Sequence, residues 1–187
     1  PDRKKITILE GWNINQVARY LSEELNFNYS EVLKSLSDNE FIKELHIDSN
    51  TLEGYLFPET YYFFEGVDKI SVIERLVKEH KKFWNDANLS KADSLGFTPY
   101  EIITLASIIE GEAIYDSERP IISAVYHNRL RIGMKLQADP TVQYIIDDGP
   151  RRLLNKDLRI KSPYNTYMYQ GLPPGPINSP GKQSLIA

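Results

Sequence analysis

The sequence of 187 residues has no cysteine, only two methionines and two tryptophans, and three isolated histidines. The lack of cysteine excludes disulfide bonds, thiolate-bound structural zinc and thiol catalysis, although it does not select a cellular compartment. The histidines, His46, His80 and His127, show none of the spacings of a metal site. We therefore predict helix-surface positions for them and expect neither a metal nor another cofactor.

Two further absences narrow the classes of function. The 22 lysines and arginines are outnumbered by 26 acidic residues and are scattered among them, so the chain lacks the basic footprint of a nucleic-acid-binding protein. No apolar run approaches the ~18 residues of a membrane span, so the chain as given is predicted to be soluble. The length suits one large domain or two small ones, with a substantial hydrophobic core.

Residues 97–112 predict a buried helix with clearly marked boundaries. Thr98 is a suitable N-cap, Pro99 follows at the first helical position, and Glu101 completes a capping box. Apolar residues then recur at helical spacing so densely that little of the helix can face water. These residues are Ile102, Ile103, Leu105, Ala106, Ile108 and Ile109.

Glu110 lies at the end of this apolar stripe and is our candidate catalytic acid. Partial burial and the negative end of the helix dipole both favour a neutral carboxylic acid, which is the form that a general acid needs near pH 7. The alternative is a surface glutamate in a fraying last turn. Glu112 projects about 200° around the helix from Glu110, so the two carboxylates cannot converge on one bond.

The first 66 residues predict a small lobe with the order β-α-α-β. Residues 6–9 are β-prone, and Asn13 with Gln16 marks the start of a helix. Further helix caps precede an extended aromatic segment at 52–64, which Pro58 confines to a sheet edge or a bulge. We expect this segment to pair with the first strand.

Two further regions complete an α+β chain. Residues 67–96 hold a long amphipathic helix that we interpret as a link between lobes, and residues 97–187 form a second lobe of mixed helical and β structure. Residues 134–138 alternate like a strand. Asp139 precedes Pro140 as an N-cap precedes the first helical residue, and we prefer this interpretation of Asp139 over a catalytic role.

The segment 162–181 combines prolines, glycines and tyrosines, so it predicts a stiff loop without regular secondary structure. Tyrosine faces can stack on sugar rings, while amides and hydroxyls satisfy sugar hydroxyl groups. The loop is therefore suited to binding a polysaccharide. The same tyrosines could equally serve to pack the loop onto its domain.

Several motifs occur together and in a characteristic order. They are LEGYLFPETY at 52–61, LASIIE at 105–110, ER at 118–119, NRLRIGMKLQADPTV at 128–142, YNTY at 164–167 and GLPPGPI at 171–177. In this combination the chain resembles the YceG-like (MltG) endolytic murein transglycosylases over nearly its whole length. The family commonly has lysine where this chain has Gly111.

The resemblance implies a LysM-like lobe over residues 1–66 and a catalytic lobe over 97–187 that cleaves the MurNAc–GlcNAc bond inside glycan strands. The family's catalytic glutamate falls on Glu110. It would protonate the glycosidic oxygen and then act as base on the muramyl 6-hydroxyl, leaving a 1,6-anhydromuramyl end without attack by water. Motif positions imply substrate-binding roles for Asn128, Arg129, Gln137, Asp139, Thr141, Tyr144, Tyr164, Asn165 and Thr166.

The resemblance also implies a setting and partners. Family members usually start with a membrane-anchoring helix and run on for several tens of residues, so we expect the second lobe to be truncated here. The implied location is the bacterial cell envelope, on the outer face of the cytoplasmic membrane. Peptidoglycan strands are the implied substrate, and peptidoglycan synthases are the implied protein partners.

Two alternatives stay open at this point. A peptidoglycan hydrolase would use Glu110 together with Asp139 or Asp116 to activate water, and would leave reducing ends. A non-catalytic peptidoglycan-binding module would hold glycan through the first lobe and the tyrosine-rich loops, and Glu110 would then be structural.

Overall fold

The computed structural model describes residues 2–187 and combines helices with a small β-sheet. This mixed architecture confirms the predicted combination of helices and strands. The chain divides into two compact units, the first made of Pro1–Ser90 with Asn178–Gly181 and the second of Lys91–Ile177 with Lys182–Ala187.

The first unit contains a two-stranded antiparallel sheet and four helices. Its elements are β1 (Arg3–Thr7), α1 (Ile14–Leu25), α2 (Tyr29–Ser35), α3 (Asn39–Glu44), β2 (Thr60–Phe64) and α4 (Lys69–Phe83). β1 pairs with β2 from Arg3 opposite Phe64 to Thr7 opposite Thr60, which confirms the pairing of the first strand with the aromatic segment. β1 begins three residues before the predicted position, and three helices separate the strands instead of two.

The core of this unit is formed by the inward faces of the sheet and of all four helices. Asn13 and Gln16 form the predicted capping box at the start of α1. The fully buried aliphatic side chains include Ile6, Val17, Leu21, Val32, Leu36, Ile42, Leu52, Leu56, Val72, Ile73 and Leu76. Because α4 supplies three of them, it lies inside the first unit, whereas sequence reasoning had placed it between lobes.

The long helix predicted for this region is interrupted after Phe83. Trp84 leaves the helical conformation with ψ of 64°, and Asn85 caps a separate helix by accepting a hydrogen bond from the Asn88 amide at 2.9 Å. That helix, α5 (Asp86–Ser94), spans the division between the units.

His80 of α4 is 1 % exposed, so its predicted surface position was wrong. Its Nε2 accepts a hydrogen bond from Trp84 Nε1 at 3.0 Å, and its ring contacts Tyr55 with centroids 5.0 Å apart. Burial lowers the pKa of His80 to about 4. The imidazole is therefore neutral at physiological pH and serves as a hydrogen-bond acceptor in the core.

The second unit is helical. Its helices are α6 (Pro99–Glu112), α7 (Arg119–Arg131), α8 (Asp139–Ile145) and α9 (Lys182–Ile186), with short 3-10 turns at Asp116–Glu118 and Asp157–Arg159. The capping box of Thr98 and Glu101 is present as predicted, and every residue of α6 from Ile103 to Glu110 is buried. Residues 162–181 form neither helix nor strand, also as predicted.

Two predictions about the second unit were wrong. Residues 134–138 form no strand, because Gln137 adopts a left-handed φ of 50° that interrupts a β-pleat. Among its described residues the second unit has helices but no strand. Ala138 is the N-cap of α8 and Asp139 is its first helical residue, so Asp139 does not cap the helix.

Candidate active site

Glu110 is enclosed by a network that joins three helices of the second unit. Its side chain is 3 % exposed. Its Oε2 accepts hydrogen bonds from Arg119 Nη1 of α7 and from Ser184 Oγ of α9, the latter at 2.7 Å. Arg119 Nη1 also donates to Ser184 Oγ at 2.8 Å, and Arg119 Nε donates to Asp116 at 3.0 Å.

This enclosure bears directly on the role of Glu110. The guanidinium of Arg119 compensates the charge of the Glu110 carboxylate. Without this partner, burying the charge would lower the free energy of unfolding. A general acid must come within about 3 Å of the oxygen that it protonates. In this arrangement Glu110 could do so only if the network with Arg119 and Ser184 opened. A catalytic role for Glu110 therefore stays a prediction that mutation must test.

Glu112, the last residue of α6, has a different environment because its side chain is exposed. Partial desolvation and the neighbouring carboxylate of Asp139 raise the pKa of Glu112, while the guanidinium of Arg129 opposes them. Asp139 accepts a hydrogen bond from the Tyr167 hydroxyl at 2.5 Å. Glu112 is thus an accessible acid whose proton is held more tightly than in water.

Two tyrosines lie close to Glu112, Asp139 and Arg129. Tyr126 is 5 % exposed, and burial together with the charge of Glu112 raises its pKa. Burial and the hydrogen bond to Asp139 raise the pKa of Tyr167 to about 12. Both phenols therefore remain protonated at physiological pH, and the Tyr167 hydroxyl donates its proton to the hydrogen bond with Asp139.

Three of the residues with predicted substrate-binding roles are fully buried. Thr141 and Asn165 are 0 % exposed, and Thr166 is 1 % exposed. The hydroxyls of Thr141 and Thr166 lie 2.8 Å apart, and Asn165 Nδ2 donates to the carbonyls of Leu158 and Ile160 at 3.1 and 2.9 Å. These contacts support the loop from within, so contact with a bound glycan would require a rearrangement.

The other residues with predicted substrate-binding roles lie in different parts of the second unit. Tyr144 and Tyr164 stack at a tilt with centroids 5.1 Å apart and pack against the core of the second unit. Gln137 is exposed near the end of the loop that leads from α7 into α8. Asn128 lines a separate cleft of about 750 Å³ together with His127. The structure therefore brings Arg129 and Asp139 to Glu112, and places Asn128 elsewhere.

Across residues 2–187, no group of three or more His, Cys, Asp or Glu side chains has the arrangement of a metal site. Nor is any helix in that range long and apolar enough to cross a membrane.

The sequence model of the YceG-like family matches residues 1–187. The chain belongs to the YceG-like family. Its curated relatives include the endolytic murein transglycosylase of Bacillus subtilis (strain 168), which is 34 % identical over 197 residues; the match covers 98 % of this chain and 55 % of that protein. The endolytic murein transglycosylase of Streptococcus pneumoniae (strain D39) is 30 % identical over 210 residues, covering 96 % of this chain and 37 % of the relative.

A solved structure shows the same fold in another YceG-like protein. The crystal structure of a yceG-like protein from Listeria monocytogenes superposes with a TM-score of 0.84 at 34 % sequence identity. The match covers 97 % of this chain and 64 % of the Listeria chain. This YceG-like chain therefore spans about half of the Bacillus protein and just over a third of the pneumococcal one.

Proposed function

We propose that the protein containing this chain is an endolytic lytic transglycosylase that cleaves the MurNAc–GlcNAc bond of peptidoglycan glycan strands. The name of the Bacillus and Streptococcus relatives supports this substrate and reaction. The observation that carries the proposal here is the accessible acid Glu112, whose pKa is raised by partial desolvation and by the neighbouring carboxylate of Asp139. Cleavage of a glycosidic bond requires a protonated acid, and a raised pKa favours that form.

We assign the acid–base role to Glu112 and a supporting role to Glu110. Protonated Glu112 gives its proton to the glycosidic oxygen while the bond from that oxygen to the muramyl C1 breaks. The muramyl 6-hydroxyl oxygen then bonds to C1 and gives its proton to the Glu112 carboxylate, which restores the acid. The product is a 1,6-anhydromuramyl end, and no water is consumed.

Hydrolysis is the second candidate, and the proximity of Asp139 to Glu112 favours it. Glycoside hydrolases use two carboxylates, one as the acid and the other as nucleophile or base. Asp139 could take the second role, whereas Asp116 is engaged with Arg119 at 3.0 Å. A hydrolase of this kind would leave reducing ends in place of anhydro ends.

The first unit and the cellular setting belong to the same proposal. We propose that this unit is a LysM-like glycan-binding lobe, which its small paired sheet and intervening helices support. Because murein is a cell-wall polymer, we place the protein in the bacterial cell envelope, attached to the cytoplasmic membrane with its catalytic part outside. Peptidoglycan synthases, which make the strands, are its proposed partners.

The decisive experiment is mass spectrometry of the glycan ends released from purified peptidoglycan. Three full-length proteins are compared: the natural protein, Glu112→Gln and Glu110→Gln. We expect anhydro ends, lighter than hydrolytic ends by one water, from the natural protein and none from Glu112→Gln. Glu110→Gln should retain cleavage per folded molecule but unfold at a lower temperature, because it disturbs the network with Arg119.

The remaining outcomes are equally informative. Loss of cleavage in Glu110→Gln with activity retained in Glu112→Gln would return the acid role to Glu110. Reducing ends would establish the hydrolase and direct attention to Asp139. Unchanged binding of peptidoglycan without any new ends, in all three proteins, would show a non-catalytic module.

A further inference from the structure

Residues 151–161 of the second unit, called here the basic loop, concentrate positive charge in a chain whose net charge is −4. Four of its cationic residues are exposed: Arg152, Lys156, Arg159 and Lys161. Within residues 2–187 the side chains of these four form no ion pair, and Asp157 is the one acidic residue in the loop. The loop therefore presents uncompensated positive charge to solvent.

Hydrogen bonds between residues of the basic loop fix its conformation. Asp157 is 3 % exposed, and its two carboxylate oxygens accept hydrogen bonds from Arg151 Nη1 and Nη2 at 2.7 and 3.1 Å. The Leu154 amide donates to the same carboxylate at 2.7 Å. Bidentate pairs of this kind fix geometry as well as charge. Arg151 and Asp157 thus fix the conformation of the loop. The only carboxylate of the loop is paired with Arg151 and does not neutralise the four exposed cations.

Asn165 connects the basic loop to the segment that follows it. Its side-chain amide donates to the carbonyls of Leu158 and Ile160, which lie on either side of Arg159. Asn165 belongs to the YNTY motif of the family resemblance. The exposed cations are therefore attached to the same segment as the predicted substrate-binding residues.

The next residue continues this connection to the candidate acid. Thr166 accepts a hydrogen bond from the Ala138 amide at 2.9 Å, directly before α8. Asp139, the first residue of α8, is the carboxylate whose charge acts on Glu112. Hydrogen bonds thus link the basic loop through Thr166 to the residue beside the proposed acid.

The chemistry of the substrate indicates what the loop would bind. Glycan strands offer sugar hydroxyls and amides, which have no charge to match four cations. The negative charge of peptidoglycan lies on the carboxylates of the stem peptides, which are attached to the muramyl sugar on one side of the cleaved bond. A nucleic acid matches less well, because the rest of the chain has more acidic than basic residues and therefore carries a net negative charge.

We propose that the basic loop binds the stem-peptide carboxylates of the muramyl residue next to the cleaved bond. This inference rests on the proposed function. Ion pairs of Arg152, Lys156, Arg159 and Lys161 with these carboxylates would align the strand with Glu112. The loop would thereby make the enzyme prefer strands that carry free peptide carboxylates. Because Arg151 and Asp157 already fix the shape of the loop, binding would have to order only the exposed side chains.

The test compares two synthetic glycan strands of equal length, one with free stem-peptide carboxylates and one with the same carboxylates converted to carboxamides. The full-length protein is compared with a loop variant that changes Arg152, Lys156, Arg159 and Lys161 to Gln. A control variant removes the same charge from four exposed lysines outside the loop, Lys34, Lys43, Lys78 and Lys91. Circular dichroism and thermal unfolding establish that all three proteins fold.

At low ionic strength we expect kcat/KM of the natural protein to be about ten-fold higher for the carboxylate strand than for the carboxamide strand, and high salt should remove the difference. The loop variant should lose the preference yet cleave the carboxamide strand normally. The control variant should keep the preference. Equal activity of the natural protein on both strands, or an equal loss on both strands in the loop variant, would overturn the proposal.

Failure of the proposed function gives a separate result. If no strand is cleaved, fluorescence anisotropy with the same two labelled strands still measures the loop, because the predicted preference then appears as a ten-fold ratio in Kd that is lost in the loop variant. A single-stranded DNA oligonucleotide of equal charge is the competitor. Equal competition by the DNA would show non-specific binding of polyanions and would overturn the proposal.

Discussion

The neighbours of Glu112 determine the pH range in which it can act as an acid. Partial desolvation by the surrounding protein and the carboxylate of Asp139 raise the pKa of Glu112, and the guanidinium of Arg129 lowers it. These neighbours belong to α8 and α7, so the balance depends on how the helices pack and not on the sequence next to Glu112. Each neighbour can be removed without touching the acid itself.

Neutralising the two neighbours should shift the activity profile in opposite directions. Asp139→Asn removes a negative charge and lowers the pKa of Glu112, so the alkaline limb of kcat/KM should move to lower pH. Arg129→Gln removes a positive charge, so the same limb should move to higher pH. The measurement is kcat/KM against pH with a synthetic glycan strand.

Tyr167→Phe is the matched control for these charge changes. It removes the hydrogen bond to Asp139 without changing the net charge, so its shift should be smaller than that of Asp139→Asn. Shifts of the same sign in Asp139→Asn and Arg129→Gln would contradict Glu112 as the titrating acid.

At this scale the sequence could identify the acids but not distinguish their roles. The motif places Glu110 and Glu112 in the last turn of one buried helix, and their different directions follow from helical geometry. The partner of Glu110, Arg119, stands nine residues away across a loop, and Ser184 stands 74 residues away. Contacts over such distances have no local sequence signal.

The end of α6 depends on contacts from other elements. Its last turn is held at Glu110 by α7 and α9, and the backbone amides of Ile114 and Tyr115 beyond it donate to Glu118 at 3.0 Å. Earlier in the helix, Ser107 accepts a hydrogen bond from the Ile177 amide at 3.1 Å. These contacts fix the turn that carries Glu112.

Breaking the buried pair from the cationic side should therefore destabilise the second unit strongly. Arg119→Met leaves the Glu110 carboxylate buried without its cation, and losses of this kind are about 3–5 kcal/mol. The double variant Glu110→Gln with Arg119→Met removes the buried charge as well, so it should recover part of the loss. Chemical denaturation followed by circular dichroism measures the free energy of unfolding of each protein.

An exposed ion pair of the same unit provides the comparison. Asp148 is 70 % exposed and pairs with Arg151 at 2.8 Å, so Asp148→Asn should change stability only slightly. If Arg119→Met cost no more than Asp148→Asn, the network around Glu110 would not be an important support of α6.

The elements that could be predicted are those whose signals are local. The capping boxes at Asn13 and Thr98 involve residues three positions apart, and both form as predicted. The predicted strand at 134–138 fails because Gln137 takes a left-handed conformation, with its amide bonded to the Thr166 carbonyl at 3.1 Å. That conformation is set by a distant loop and not by the alternation of the segment.

At the scale of the whole molecule, the chain returns late to the unit in which it starts. Residues 178–181 belong to the first unit, although 91–177 belong to the second. The Gly11 amide donates to the Ser179 carbonyl at 2.9 Å, and the Ser179 amide donates to the Trp12 carbonyl at 2.8 Å. Division into consecutive segments from sequence could not anticipate this return, because no local pattern marks it.

The backbone bonds of Ser179 should therefore contribute to the stability of the first unit. Ser179→Pro removes the amide that donates to Trp12, whereas Ser179→Ala keeps the amide and removes only the hydroxyl. Both tryptophans of the chain, Trp12 and Trp84, lie in the first unit, so their fluorescence reports the unfolding of that unit. We expect Ser179→Pro to lower the denaturant midpoint of the fluorescence transition and Ser179→Ala to leave it nearly unchanged. Equal midpoints in the two variants would show that the returning segment does not stabilise the first unit through its backbone.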